Sequence, residues 1–414
     1  MTEVGTRPAG VLGGFSSPLR APAFRLLLLG QVASRSGDMV FTVALASYAL
    51  ARAPHGGLLA EVLLAQSVST LVVLVLSGAL TDRVGPRAIL LAADAARTLA
   101  LVVLAVHATT HGGDNWIPIA VGAVIGVGDG VFQPAFMVAL TEVTPAEHRV
   151  AGNALRSLTW RLAAMAGAAL GGIVVASAGT GTGFAVAAGG FVVSGIAVLR
   201  MGTWPRTDSV EDRPRASVLA DLREGVVYLR SAPRLMALIV TSGLVTSLVM
   251  APARVLMPLV LTGRFGTPEL YSVVLTIEAV GGLTAAVLIG RHGAMPRRGA
   301  VATGGMVVYS GGYLMASQSF PIGLSLAALA VGALAITASA VAYASILQRA
   351  VPTRYLGRVA SFDSLLTIGG APVVLSAVPL ACTYLGASHL MALTSGAAAL
   401  AALCGLLNSR VRTL

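Results

Sequence analysis

The sequence predicts an all-α, polytopic membrane protein whose twelve transmembrane helices form two pseudo-symmetric bundles of six. Three observations carry that prediction. The 414-residue chain is 56% hydrophobic, and its apolar residues fall in runs of about 20, the length an α-helix needs to cross ~30 Å of hydrocarbon. Its 28 basic residues are all arginine, and they collect in alternate gaps between the runs. The longest polar stretch lies near the middle of the chain, and the sequence before it is echoed by the sequence after it.

Residues 1–22 are polar and rich in glycine and proline, with no small-residue cleavage site, and are expected to form a cytoplasmic tail. The first apolar run is too long for a signal peptide and is expected to remain as the first helix. Runs at 24–51, 60–80, 88–106, 117–140, 151–177 and 183–201 make up a first bundle over 23–201. Residues 202–233 read as a cytoplasmic linker. Within it Val218, Leu222, Val226 and Leu229 recur at helical spacing opposite Asp221, Arg223, Glu224 and Arg230. That pattern fits an amphipathic helix on the inner membrane face or a solvated charged linker with helical tendency. Runs at 234–262, 269–290, 299–318, 320–347, 358–384 and 386–407 form the second bundle, 234–407, followed by a cytoplasmic tail at 408–414. Lipid offers the backbone no hydrogen-bond partners, so runs of this length are helices.

Charge fixes the expected orientation. Twenty-one arginines fall in the two tails, in the gaps after runs 2, 4, 6, 8 and 10 or at the run ends that border them, against two, Arg52 and Arg264, in the other gaps. The positive-inside rule then places both termini in the cytoplasm of a bacterial cell with the chain in its inner membrane. The net charge of +11 reports this topology rather than a nucleic-acid surface, which would cluster on one soluble domain. The absence of lysine reads as codon bias. Cys382 and Cys404 sit in late apolar runs and read as small core residues, not as a disulfide or a metal site.

The halves repeat at an offset of about 208 residues. VTPAEHRVAGN (143–153) enters the fifth run as VPTRYLGRVAS (351–361) enters the eleventh, and the basic loop after the second run corresponds to GRHGAMPRR (290–298) after the eighth. Duplicated six-helix units are typical of secondary transporters, with the substrate site between repeats near the midplane. Between the second and third runs, GALTDRVGPR (78–87) resembles the signature loop of the major facilitator superfamily. ADAAR in the third run, NALRS opening the fifth and DLREGVVYLRS before the seventh are similar to its bacterial branch of enterobactin-type siderophore exporters and macrolide or multidrug efflux permeases. The resemblance spans nearly the whole chain. It implies the two-bundle facilitator fold and export driven by a proton gradient. Two departures stand out. Pro86 occupies the place where the family loop usually carries a basic residue, moving the charge to Arg87. GAALGG (167–172) has Ala168 where the antiporter pattern has proline, so no proline kink is expected there.

Charges inside lipid-spanning runs cost roughly 2.5 to 3.5 kcal/mol each on insertion scales and usually face protein or water, which makes them informative. Asp38 lies about 14 residues into the first run with Arg35 one turn before it. It reads as a packing ion pair or as a protonatable carboxylate at the cavity wall, the second favoured because the resembled fold lines its cavity with helix 1. Asp129 lies mid-run between Gly128 and Gly130, with Gln133 a turn away; either another helix brings it a partner or it is held neutral. Glu278 is its counterpart in the second half. These three acids are the proton-coupling candidates. Arg35, Gln133 and Arg254 are substrate-cavity candidates, with snorkelling to water the expected habit of Arg254. Asp94 and Arg97 read as a self-contained structural pair. Asp363 reads as a helix cap. Arg156 and Arg161 could meet the inner interface or the acids. In the signature loop, Gly78, Asp82, Arg83, Gly85 and Arg87 form the expected cytoplasmic gate, Asp82 capping the third helix or, as the resemblance implies, bracing the start of the eleventh. Glu142 is the expected partner of Arg83 or Arg87.

The function so predicted is proton-coupled export of a hydrophobic or amphipathic small molecule by alternating access. Import or uncoupled facilitation is the alternative, and a non-transporting sensor a remote one. The expected partners are that small molecule, protons and the lipid bilayer, with no nucleic acid, no cofactor and no metal, and the chain is expected to act as a monomer. An enzyme is not expected: the six histidines form no HExxH pattern, and His107 and His111, although four apart, lack a third ligand. No Walker A motif supports ATP-driven transport.

Overall fold

Proline and glycine set many of the helix ends in the computed structural model, which describes residues 18–53, 55–110, 113–145, 148–202, 218–292 and 297–412. α1 (Pro22–Arg52) opens on a proline at its first turn, where a missing N–H is not needed. α2 (Gly57–Val84) is joined to α3 (Pro86–Thr109) by the single residue Gly85, at φ +89°. A side chain there would be strained, and Pro86 then starts α3, so the Gly-Pro pair of the signature loop is the turn itself. α4 (Trp116–Val143) follows. Arg149–Arg200 is helical throughout except at Gly179 (φ +82°, ψ 172°), which divides it into α5 (149–178) and α6 (180–200). The chain doubles back there: a Cβ on Gly183 would lie 3.1 Å from Val175. α5 has no other interruption, in keeping with the alanine at 168.

The second half begins with a linker helix (Val218–Ser231), then α7 (Pro233–Phe265), which contains a π-helical stretch at Thr246–Met250. α8 (Leu270–His292), α9 (Arg298–Ala316), α10 (Ile322–Ala350), α11 (Thr353–Leu385) and α12 (Ala387–Leu407) complete it. By length and composition, nine helical stretches among the described residues can cross a membrane. One of them, Ala151–Arg200, is 50 residues long and crosses twice because of Gly179. With α1 and the glycine-rich α9 the count reaches the twelve helices expected, each within a few residues of its apolar run.

Small residues let these helices touch. In α4, Gly122, Gly126 and Gly130 lie one turn apart and face α2, where a Cβ at Gly122 or Gly126 would overlap the carbonyl oxygens of Val62 and Gln66. α1 packs on α5 and α6, and α3 on α4 and α6. In the second half α9 packs on α10 and α12, α8 on α10, and α7 on α11 and α12. The halves meet where α5 lies on α8, α2 on α11 and α1 on α7.

The apolar core is unequal along the bundle. At the end remote from the termini one cluster crosses both halves, joining Phe41, Leu59 and Phe184 to Leu256, Tyr271 and Leu375. At the end that carries the termini it divides. Phe24, Leu90 and Phe136 pack in a core of the first half alone, and Leu229, Leu238 and Ile346 in a core of the second alone. The halves are therefore zipped together at the far end and separately packed at the termini end.

The linker helix docks on the second half. Leu229 is fully buried, Tyr228 stacks on Tyr355 with ring centroids 4.6 Å apart, and Glu224 pairs with Arg358 of α11 at 2.6 Å. It thus finds a protein surface, where the sequence left a membrane face or free solvent as the choices. The side chains at 218–223 lie outside the described residues.

Candidate transport site

α3 and α4 build the centre of the site. Arg97, only 1% exposed, donates to Asp94 Oδ1 at 2.6 Å and reaches Asp129 Oδ1 on α4 at 3.4 Å. The expected self-contained pair is therefore corrected to a bridge, because Asp129 faces the same guanidinium. Phe132 and Phe191 flank that guanidinium, with its carbon 4.5 and 4.3 Å from their ring centroids. Cation–π attraction adds to the carboxylates in compensating the buried charge. Gly128 makes the room, since a Cβ there would lie 2.7 Å from Arg97 Cδ. The glycines beside Asp129 thus serve the approach of Arg97 on one side and of α2 on the other.

Asp129 does have a partner from another helix, and it has two. Besides Arg97, Gln66 of α2 donates its amide to Oδ2 at 3.0 Å. Gln66 in turn accepts from Arg254 of α7 at 3.3 Å. Arg254 follows the π-helical stretch by one turn, and the extra residue in that wider turn rotates the face presented beyond it. It points across the seam between the halves and does not snorkel.

α1 supplies Asp38 and Arg35, whose nearest charged atoms are 3.9 Å apart, beyond hydrogen-bonding distance. Arg35 instead lies over Trp160 of α5, 4.4 Å from the ring. Asp38, Asp129, Arg97 and Gln133 line one small cavity of about 30 Å³, room for a water-sized molecule, closed by Gln31, Ser34, Phe132 and Trp160. Gln31 is 2% exposed, and neither its amide nitrogen nor its amide oxygen has a partner among the described residues. Buried amides are rarely left so, and this one offers a donor and an acceptor to whatever enters.

The structure brings five of the six coupling and cavity candidates into this one region: Asp38, Asp129, Arg35, Gln133 and, through Gln66, Arg254. Glu278 stands apart. On α8 it accepts from the Tyr313 hydroxyl at 2.6 Å, and Tyr309 packs edge-on against Tyr313 with centroids 5.1 Å apart. No arginine among the described residues forms an ion pair with it.

At the termini end, Gly85 forms the turn between α2 and α3, Arg83 is exposed, and Arg87 donates to the Leu199 carbonyl at the end of α6 at 2.9 Å. Glu142 pairs with neither arginine among the described residues, because Arg87 is used on α6. α2 runs on past position 82, so Asp82 lies inside it; the side chain of Asp82 and the surroundings of Gly78 lie outside the described residues. Asp363 is not a cap: α11 starts five residues earlier than its apolar run, at Thr353, and Asp363 accepts from Tyr343 of α10 at 2.6 Å. Arg161 reaches across to Thr337 of α10 at 3.5 Å. His107 lies 3.4 Å from Arg52, and His111 is outside the described residues.

Sequence reasoning missed Gln66, Gln31 and the tyrosines around Glu278. The two amides carried a usable signal, being uncharged polar side chains inside apolar runs. The tyrosines carried none, since a tyrosine in a membrane helix reads as apolar.

The sequence model of the Major Facilitator Superfamily matches residues 27–374. The multidrug efflux pump Tap of Mycolicibacterium fortuitum is 28% identical over 337 residues, covering 77% of this chain and 80% of that protein. The enterobactin exporter EntS of Citrobacter koseri is 30% identical over 173 residues, 40% of either chain. Among solved structures, a bacterial homologue of the iron transporter ferroportin in an inward-facing state superposes with a TM-score of 0.71 at 16% identity, covering 94% of this chain and 99% of that one. A POT family transporter bound to a thioalcohol-conjugated peptide gives 0.73 at 13% identity, covering 94% and 96%. At these identities the structures share the fold.

Proposed function

The chain belongs to the Major Facilitator Superfamily and is a multi-pass membrane transporter, not an enzyme, and on that premise we propose that it exports a hydrophobic or amphipathic small molecule from a bacterial cell in exchange for protons. The observation that carries this reading is the cavity in which Asp38 and Asp129 meet, the first on α1 and the second on α4, about halfway along each helix. A carboxylate reached from a cavity can take a proton from one side of a membrane and give it up on the other. An efflux pump and an exporter among the relatives support the outward direction.

In this reading residues 23–201 and 234–407 are the two bodies that rock, and both tails and the linker at 202–233 are cytoplasmic in the inner membrane. The far end is then the outer one, and the described arrangement, zipped there and parted at the termini, faces inward. Asp38 is the first choice of proton carrier, Asp129 the second and Glu278 the third. Arg35, Gln133 and Arg254 contact substrate, and the loop of Gly78, Asp82, Arg83, Gly85 and Arg87 with Glu142 gates the cytoplasmic side. Proton and substrate compete for the same carboxylates. Linkage therefore makes substrate affinity fall as pH is lowered, and makes bound substrate release protons.

The test is transport in inverted membrane vesicles. A pH gradient, acid inside, should drive uptake of a lipophilic test compound by the wild type. Asp38→Asn and Asp129→Asn should lose accumulation against the gradient of compound while keeping equilibrium exchange, because an amide holds the geometry but carries no proton. Full accumulation by the triple variant with Glu278→Gln would assign coupling elsewhere, and gradient-driven movement in the opposite direction would make the protein an importer.

A further inference from the structure

Gln66 occupies a position that calls for a side chain able both to donate and to accept. It stands between a carboxylate, Asp129, and a guanidinium, Arg254, donating to the first at 3.0 Å and accepting from the second at 3.3 Å. Reversed, it would set its NH2 against the guanidinium and its oxygen against the carboxylate, so the two partners fix its orientation. A leucine could satisfy neither neighbour.

Its backbone belongs rigidly to the first half. A Cβ on Gly126 of α4 would overlap the Gln66 carbonyl oxygen, so the two helices touch there. The Thr70 hydroxyl lies within hydrogen-bonding distance of the carbonyls of both Gln66 (2.8 Å) and Gly126 (3.0 Å). Gln66 and Asp129 therefore move together. Arg254 sits on α7 in the other half, within the far-end region where the two halves share one core. The contact cannot outlive a parting of the far end. Arg161 to Thr337 also crosses between halves, but no acid takes part in it.

We propose that Gln66 is the positioning residue that latches the far end shut according to the state of Asp129, a device that rests on the antiport reading above. Ionised, Asp129 holds the amide NH2 and so aims the amide oxygen at Arg254. A proton on Asp129, or a substrate group that takes its place as the acceptor, lets the amide turn and releases Arg254. The empty, ionised carrier is thereby kept from reorienting, which is the step an obligatory exchanger must suppress. The charged groups facing Asp129 are Arg97, with Asp94 behind it, on α3, Arg35 and Asp38 on α1, and Arg254 on α7. Asp38 shares the cavity, so both acids contribute to the pH response.

The experiment places spin labels at Gly57 and Gly263, where an added side chain meets nothing within 4 Å, after replacing Cys382 and Cys404. In the full-length wild type in lipid nanodiscs, the fraction of molecules with the short far-end distance should fall as pH is lowered. Gln66→Leu should abolish that pH dependence and cut gradient-driven accumulation by a factor of about 5 to 150, the usual range of a coupling between sites, with exchange retained. Arg254→Gln, made from the other helix, should abolish the same pH dependence of the distance, which is read without transport, and serves if Gln66→Leu is poorly inserted. A wild-type pH profile in both Gln66→Leu and Arg254→Gln overturns the latch. Failure of the wild type to accumulate compound under a pH gradient overturns the antiport reading instead, and the distance measurement separates the two results.

Discussion

The first half surrounds its intramembrane acids with arginines, and the second surrounds its own with tyrosines. Asp94 and Asp129 share Arg97, which lies between two phenylalanine rings, and Asp129 also holds Gln66. Glu278 has the Tyr313 hydroxyl and no ion pair among the described residues. The two arrangements handle the same difficulty, a carboxyl group in a low-dielectric interior, by different physics. A charge network is tightly interdependent: taking out one member strands the others, and the penalty exceeds the worth of any single bond. A carboxyl held by a neutral hydroxyl can change its proton, or give way to an amide, and still offer that hydroxyl an acceptor. A change at one member of the first half's network thus reaches the others, whereas a change at Glu278 stays local.

The largest effect that follows is on Arg97. Arg97→Leu strands the carboxylate of Asp94 in the buried core, with the partly exposed Asp129 also left without its guanidinium, and should cost about 3 to 5 kcal/mol, read as a large drop in thermal unfolding temperature and a loss of monodisperse protein in detergent. Arg97→Leu combined with Asp94→Leu should recover part of it. Wild-type stability of the single variant would end the comparison. Glu278→Gln sharpens it from the other side. The amide oxygen can still accept from Tyr313, so the change in stability should stay within about 1 kcal/mol. A loss as large as that of Arg97→Leu would mean that Glu278 has a charged partner after all. Smallest is Glu224→Gln on the linker helix, whose ion pair with Arg358 is half exposed. It should shift stability by no more than about 1 kcal/mol, less in high salt, and a salt-independent loss would show that the pair is sealed from water.

Most of the fold was legible because lipid imposes it. An apolar run long enough to cross the bilayer has no other solution than a helix, and each of the twelve appears within a few residues of its run. Boundaries moved where proline or glycine chemistry outweighed composition: Pro352 and Thr353 start α11 before its apolar run begins, and Gly179 alone separates α5 from α6. Site residues were legible as residue types and illegible as partners. Asp129 announced itself as a charge in an apolar run, but Gln66 is 63 positions away and reaches it only because Gly126 lets α2 and α4 touch. Asp94 and Arg97 looked complete at one helical turn because the sequence cannot show that Asp129 faces the same guanidinium. The linker helix was legible as amphipathic, while the surface receiving its apolar face was set by Tyr355 and Arg358, about 130 residues later.

The absence of lysine has a consequence beyond codon usage. The cations of the site, Arg35, Arg97 and Arg254, are guanidiniums, which keep their charge where a buried ammonium readily sheds its proton. With Asp38, Asp94 and Asp129 all ionised, three positive groups face three negative ones and the site is electrically balanced. Any proton that binds there must land on a carboxylate, and it leaves the site with a net charge of +1. Two like unit charges 4 Å apart repel by about 4 kcal/mol at the effective dielectric of a partly wet protein. Under the proposed exchange a cationic guest would therefore be evicted by the proton's field as well as by competition for the carboxylate, whereas a neutral guest would meet the competition alone. Discrimination between cationic and neutral guests would thus be written into the ledger of fixed charges, before any pocket shape is considered.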